Sequence, residues 1–168
     1  PMHNGASWPL YLEPQDLALP RTWCRDFFSG DRIGECLGYH TLDECIELAE
    51  RMERAWRKGV ELVRPLAPEF SRQPERLFDL AVSEALLLHF RAGVNILRFY
   101  RLREELIAGP NGPEEILDAM AGIVGEEMET SRELEVWCRS HPRLGYCPAA
   151  DAYTYSAEKL AWRRSLLR

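Results

Sequence analysis

Cysteine is scarce in this chain of 168 residues, with five thiols and no C-x-x-C pair. The number is odd, and a chain of this size does not need a disulfide framework. Cys36, His40 and Cys45 lie near one another, as do Cys138, His141 and Cys147. Two such clusters could meet at a tetrahedral zinc, but their spacing matches no ribbon or finger. Buried free thiols are therefore the expectation, with no metal and no cofactor assigned. Basic charge is also in short supply: 21 Lys and Arg against 27 Asp and Glu give a net charge of −6. That balance speaks against tracking a phosphate backbone, so nucleic acid is not an expected partner. No uninterrupted apolar run approaches the ~20 residues of a membrane span, and no membrane is expected. There is no charged segment followed by an apolar run of the secretory kind. Localisation stays unknown, and is cytoplasmic only if Pro1 is the native N-terminus. Strand-like alternation and hairpin turn signals are missing. So are G-x-G-x-x-G and Walker loops, H-E-x-x-H and G-x-S-x-G, which removes the nucleotide, zinc-protease and hydrolase chemistries built on them.

What is present is globular in composition, with 46% apolar, 29% charged and 10% aromatic residues. The length suits one domain. The chain starts at Pro1 and stops within a helical pattern at Arg168, and the expectation is a piece excised from a larger protein. Residues 1–40 read as an irregular arm. Pro1, Pro9, Pro14, Pro20, Gly5, Gly30, Gly34 and Gly38 punctuate it, and Trp8, Tyr11, Trp23, Phe27, Phe28 and Tyr39 are interleaved. Rings in that number are expected to pack on a surface, since exposing them would leave a large apolar patch in water. The polar face of the central helix, at Glu84, Arg91 and Asn95, is the expected place for the arm's backbone groups to find partners.

From Thr41 the pattern becomes helical. Thr41 and Glu44 form a capping box. Leu42, Cys45, Ile46, Ala49, Met52, Trp56, Val60 and Val63 then recur at three- and four-residue spacing, which predicts a helix over 42–64 ended by Pro65 and Pro68. Its outer face carries Glu47, Glu50, Arg51, Arg54 and Lys58. A second helix over 74–108 is apolar on nearly all sides and therefore central. A third over 113–140 opens at Pro113, and its Gly122 and Gly125 are expected where another helix comes close. Ser156 caps a fourth that runs to the end. Short turns make neighbours antiparallel. The expected fold is all-α: an up-and-down bundle of three long helices plus a C-terminal one, over residues 41–168, behind the N-terminal arm.

Against the apolar central helix, Glu84, His89, Arg91, Asn95 and Arg98 stand out. Glu84, Arg91 and Arg98 are seven apart and share a face, with Asn95 four residues beyond Arg91. Buried charge needs partners, and Glu126, Glu127 or Glu133 on the third helix are the ones expected. The set is either a structural network, with Glu127 in it, or a polar groove for a sugar or another domain. It is not a di-iron site, because Glu84 and His89 are five apart and on different faces.

The loop after the third helix reads His141-Pro142-Arg143-Leu144-Gly145-Tyr146, followed by Tyr153, Tyr155 and Glu158-Lys159-Leu160-Ala161-Trp162-Arg163. It resembles the C-terminal helical region of large bacterial glycoside-hydrolase-like proteins, where R-L-G-[YW], a Tyr-containing loop and an L-x-W-[KR] helix follow a carboxylate-rich helix end. Arg32-Ile33-Gly34-Glu35-Cys36-Leu37-Gly38 resembles the turn before the first helix of that region. The resemblance implies a non-catalytic accessory domain of a carbohydrate-active protein, packing on a separate catalytic domain. The implied partners are other domains of a parent protein, and carbohydrate. No catalytic residue is assigned here, although the parent could be a glycoside hydrolase. Arg143, Gly145 and Tyr146 are expected to form a corner at the bundle end. The rival expectation is a stand-alone bundle for protein–protein interaction or oligomerisation.

Overall fold

At Thr41 the backbone is extended and the hydroxyl accepts a hydrogen bond from the Glu44 amide at 3.2 Å, while the Glu44 carboxylate accepts one from the Thr41 amide at 2.7 Å. Both halves of the capping box are thus in place. The Thr41 amide and hydroxyl hold the Glu44 carboxyl below its ordinary value. Thr41→Ala is expected to cost about 1 kcal/mol, read as a melting temperature lowered by about 2–4 °C; an unchanged melting curve would refute the cap's contribution. The computed structural model describes residues 5–7, 10–13, 37–109, 112–147 and 152–167. Its helices are α1 (Leu42–Val63), α2 (Pro74–Ile107), α3 (Pro113–Ser140) and α4 (Ala157–Leu166). A 3-10 turn, Arg64–Leu66, extends α1. Proline occupies the first turn of α2 and of α3, where its missing amide has no partner to lose.

The helices pack in chain order, α1 on α2, α2 on α3 and α3 on α4. The structure is the all-α bundle that the 3.6-residue spacing predicts. One local departure is a two-residue antiparallel ladder in the last loop, Tyr146–Cys147 against Ala152–Tyr153. By length and composition α2 could cross a membrane, but 72% of that apolar window is buried inside the bundle. The apolar core falls into two clusters. One holds Leu88, Leu134, Leu144, Tyr155 and Leu160. The other holds Ile46, Ile96, Phe99, Tyr100, Ile116 and Met120.

Two expectations about helix faces need correcting. Met52, Trp56 and Val63 are exposed although they share the apolar spacing of α1, while Glu53 is buried. Helix α1 touches mainly α2, so only a narrow strip of it enters the core. Gly122 and Gly125 approach nothing: a Cβ built on either would meet open space.

Of the arm, residues 5–7, 10–13 and 37–40 are described, and the Tyr39 ring, expected to pack with the others, is fully exposed. Ala6 is fully buried among α2, α3 and α4 residues, and the Ser7 hydroxyl donates to the Thr154 carbonyl at 2.8 Å. Leu10 packs on the second cluster. The Tyr11 amide donates to the Tyr100 hydroxyl and its carbonyl accepts from Arg103, both at 3.4 Å. These backbone partners lie further along α2 than the expected Glu84, Arg91 and Asn95. Trp8, Trp23, Phe27, Phe28, Cys24, Cys36 and residues 32–36 of the first resembling turn lie outside the described residues.

Candidate functional site: a polar cleft over a buried ion pair

Helix α2 presents Arg91, Asn95 and Arg98 at i, i+4 and i+7, hence on one side. With α1 along one flank and α3 along the other, they floor a cleft of ≈ 530 Å³. That is within the ~300–1,000 Å³ of small-molecule sites.

The α1 wall is a ladder of shared carboxylates. One oxygen of Glu50 accepts from Arg98 at 2.6 and 3.1 Å, and the other accepts from Arg54 at 3.2 Å. Arg98 first, and Arg54 after it, hold the Glu50 carboxyl below its ordinary value. Glu53 accepts from Arg57. The Arg91 Nε lies 4.0 Å from Glu53, beyond hydrogen-bond reach. Arg91 is therefore the cleft cation without a hydrogen bond among the described residues. The α3 wall supplies Glu126, Glu129 and Thr130. Glu129 is occupied by Arg132, while Glu126 has no ion pair or hydrogen bond among the described residues.

Beneath the floor runs a fully buried polar layer. Asn95 donates to one oxygen of Glu127 at 3.0 Å, and Arg163 donates to the other at 2.7 Å. Arg163 also reaches the Ser131 hydroxyl at 3.0 Å. Glu127 is wholly inaccessible and Arg163 is 3% exposed. Along α2 and α3 this layer falls between the residues of the two apolar clusters, with Glu127 and Ser131 fully buried.

Of the residues singled out in the sequence, Arg91, Asn95 and Arg98 come together in the cleft and Glu127 lies directly below. Glu84 does not join them. It forms a two-point pair with Arg64, at 2.6 and 2.9 Å, and that hydrogen bonding raises the Arg64 pKa. The expected partners on α3 are corrected as well. Only Asn95 looks to α3, while the arginines turn to Glu50 and Glu53 of α1. Glu50 accordingly belongs to the cleft and not to an outer face. Arg163 is the residue missed: it stands three positions after the buried Leu160, and a cation on the apolar face of a short helix was the available signal. His89 is buried, with its ring 5.8 Å from that of Tyr155.

The loop motif forms a corner. Gly145 sits at φ +79°, and its carbonyl accepts from the Thr154 amide at 2.8 Å and the Thr154 hydroxyl at 2.7 Å. Leu144 is buried in the first cluster. The Arg143 guanidinium lies 4.4 Å over the Phe78 ring, so it is anchored by a cation–π contact. Tyr146 is exposed on the outside of the turn.

Burial pushes the Cys138 thiol up to about 11 and the Tyr155 phenol up to about 12. Both hold their protons at neutral pH, and a protonated thiol is a poor nucleophile and metal ligand. Among the described residues no group of three or more His, Cys, Asp or Glu is placed to hold a metal ion. Cys36 and the side chain of Cys147 lie outside the described residues. No protein-family model, no curated protein and no solved structure matches the chain.

Proposed function

We propose that the chain is a non-catalytic helical binding module, an accessory domain of a carbohydrate-active protein, whose cleft takes an acidic sugar. The carrying observation is Arg91. It is a guanidinium at the floor of a polar cleft, with five donors in a rigid fork and no hydrogen bond to the described residues. A planar carboxylate matches that fork in two-point fashion. Across the cleft the Glu126 carboxylate on α3 offers an acceptor for sugar hydroxyls. A uronic acid residue carries both groups, a carboxylate and vicinal hydroxyls. The resemblance of the 141–163 segment to accessory regions of glycoside-hydrolase-like proteins supports the same ligand class.

Titration of the isotope-labelled chain with trigalacturonate, followed by NMR, tests this reading. Amide shifts are expected around Arg91, Asn95 and Thr130, and a neutral trisaccharide of equal length should give none. Arg91→Ala should weaken binding at least about tenfold, the loss of one charge-assisted pair worth ~1.5–3 kcal/mol. Trigalacturonate leaving these amides unmoved at about 10 mM, the limit of any useful affinity, would overturn the reading. Preference for the neutral sugar or for a free amino acid would do the same.

A further inference from the structure

Helix α1 has a second face that the bundle does not use. Leu48, Met52, Ala55, Gly59, Leu62 and Leu66 recur at alternating steps of four and three residues. All six are exposed, with the larger ones ranging from 37% at Leu66 to 78% at Leu62. Alternating three- and four-residue steps are the seam of a coiled coil, with a period of 3.5 residues. On α1 the seam runs from Leu48 to Leu62, about 21 Å of helix, Leu66 follows on the 3-10 turn that extends α1, and no charged residue interrupts it. Charge resumes beside it, at Glu44, Arg51 and Lys58. On the helical wheel the cleft residues Glu50, Glu53, Arg54 and Arg57 lie on the other side of α1, so the seam does not depend on the cleft.

We infer that this seam docks against the same seam of a second copy of the chain, giving a two-fold dimer. The seam fits itself. Its bulky positions stand symmetrically about its small centre: Leu48 and Leu66 are each nine residues from position 57, Met52 and Leu62 five, Ala55 and Gly59 two. Bulky layers thus meet bulky layers, and small meets small, whether the two helices run parallel or antiparallel. Self-complementarity of this kind is what an isologous interface requires. The small centre lets the helix axes come to the ~8 Å of a close crossing.

The area sets the strength. A whole aliphatic side chain carries on the order of 100 Å² of apolar surface. With their observed exposures, the seam and its flanking Trp56 and Val63 leave roughly 300 Å² in water per copy, as large as the greatest patch on most monomers. Two copies with their polar rims would bury roughly 1,000 Å², the lower end for specific interfaces. The dimer is therefore weak, with a dissociation constant of about 10–100 μM.

Sedimentation equilibrium on the full chain over about 5–500 μM, a span chosen around that constant, tests this. The apparent mass should rise from 19.4 kDa toward twice that value. Leu62→Glu should raise the dissociation constant at least tenfold while circular dichroism stays unchanged, since this side chain has no role in the core. The double variants M52K/L62K and M52E/L62E should each be monomeric, and an equimolar mixture should restore a dimer. Rescue on mixing requires that positions 52 and 62 of one copy face those of the other. A chain that stays monomeric throughout overturns the inference. So does a dimer indifferent to Leu62→Glu, or a mixture of the two charge variants that remains monomeric.

Discussion

Glu127→Ala is expected to lower the melting temperature by about 6–20 °C. The carboxylate is wholly buried and takes both Asn95 and Arg163. Removing it leaves a guanidinium in the interior without its counter-charge, which typically costs ~3–5 kcal/mol. A chain of this size loses roughly 2–4 °C per kcal/mol. The companion experiment separates charge from shape. Glu127→Leu combined with Arg163→Met removes both charges and keeps apolar volume, and buried pairs replaced in this way are often neutral in stability. Asn95 and Ser131 would then lack partners, at ~1–3 kcal/mol for each orphaned group. The double variant should therefore melt below the parent, and melting above Glu127→Ala would assign the larger share of the loss to the orphaned charge. A Glu127→Ala chain melting within about 2 °C of the parent would show that the layer contributes nothing to stability, contrary to the usual cost of orphaned buried charge.

Gly145→Ala is the second large effect, and its cause is steric. A Cβ at this position would lie 2.3 Å from the Tyr155 carbonyl oxygen and 2.7 Å from the Tyr155 ring. The φ of +79° adds a left-handed penalty of ~1–2 kcal/mol for any residue with a side chain. The Tyr155 backbone cannot retreat without breaking the two Thr154 hydrogen bonds to Gly145 and lifting Tyr155 out of the first cluster. The total is expected at about 3–5 kcal/mol, in the tail reserved for strain and lost packing. Gly109→Ala is the control. It has a similar φ of +80° but open space around the added carbon, so it should cost only the ~1–2 kcal/mol backbone term. Near-ultraviolet circular dichroism should change for Gly145→Ala, because Tyr155 loses its fixed surroundings, and not for Gly109→Ala. Equal melting temperatures for the two variants would refute the clash.

Both experiments bear on what the loop and the buried layer do for the cleft. Asn95 is shared: its side chain lines the cleft and donates downward to Glu127. Arg163 of α4 in turn fixes Glu127 from below. The corner at Gly145, seated beside Tyr155, leads the chain into α4 and so positions Arg163. A loss at Gly145 should thus reach the cleft floor through α4.

The four helices could be read from residue order alone, to within one residue at most ends. Their signals are local: apolar side chains 3.6 residues apart, a threonine hydroxyl three residues from a glutamate, prolines where an amide has no partner. The corner at Gly145 was legible for a similar reason, since glycine permits the left-handed backbone that a tight turn needs. Arg91, Asn95, Arg98 and Glu127 were recognisable as charged or polar residues in an apolar context. Their partners were not. Whether Arg98 meets Glu50 or Glu126 depends on how α1 is rotated about its axis and on which flank of α2 it lies. Both are set by the sum of weak apolar contacts along the whole helix. The same rotation buried Glu53 and turned Met52, Trp56 and Val63 to the surface, although their spacing is that of core residues. Periodicity tells that a helix has an apolar side; it cannot tell which of two adjacent apolar strips a neighbour will cover. That choice belongs to packing, because only the assembled bundle has a shape for side chains to fit.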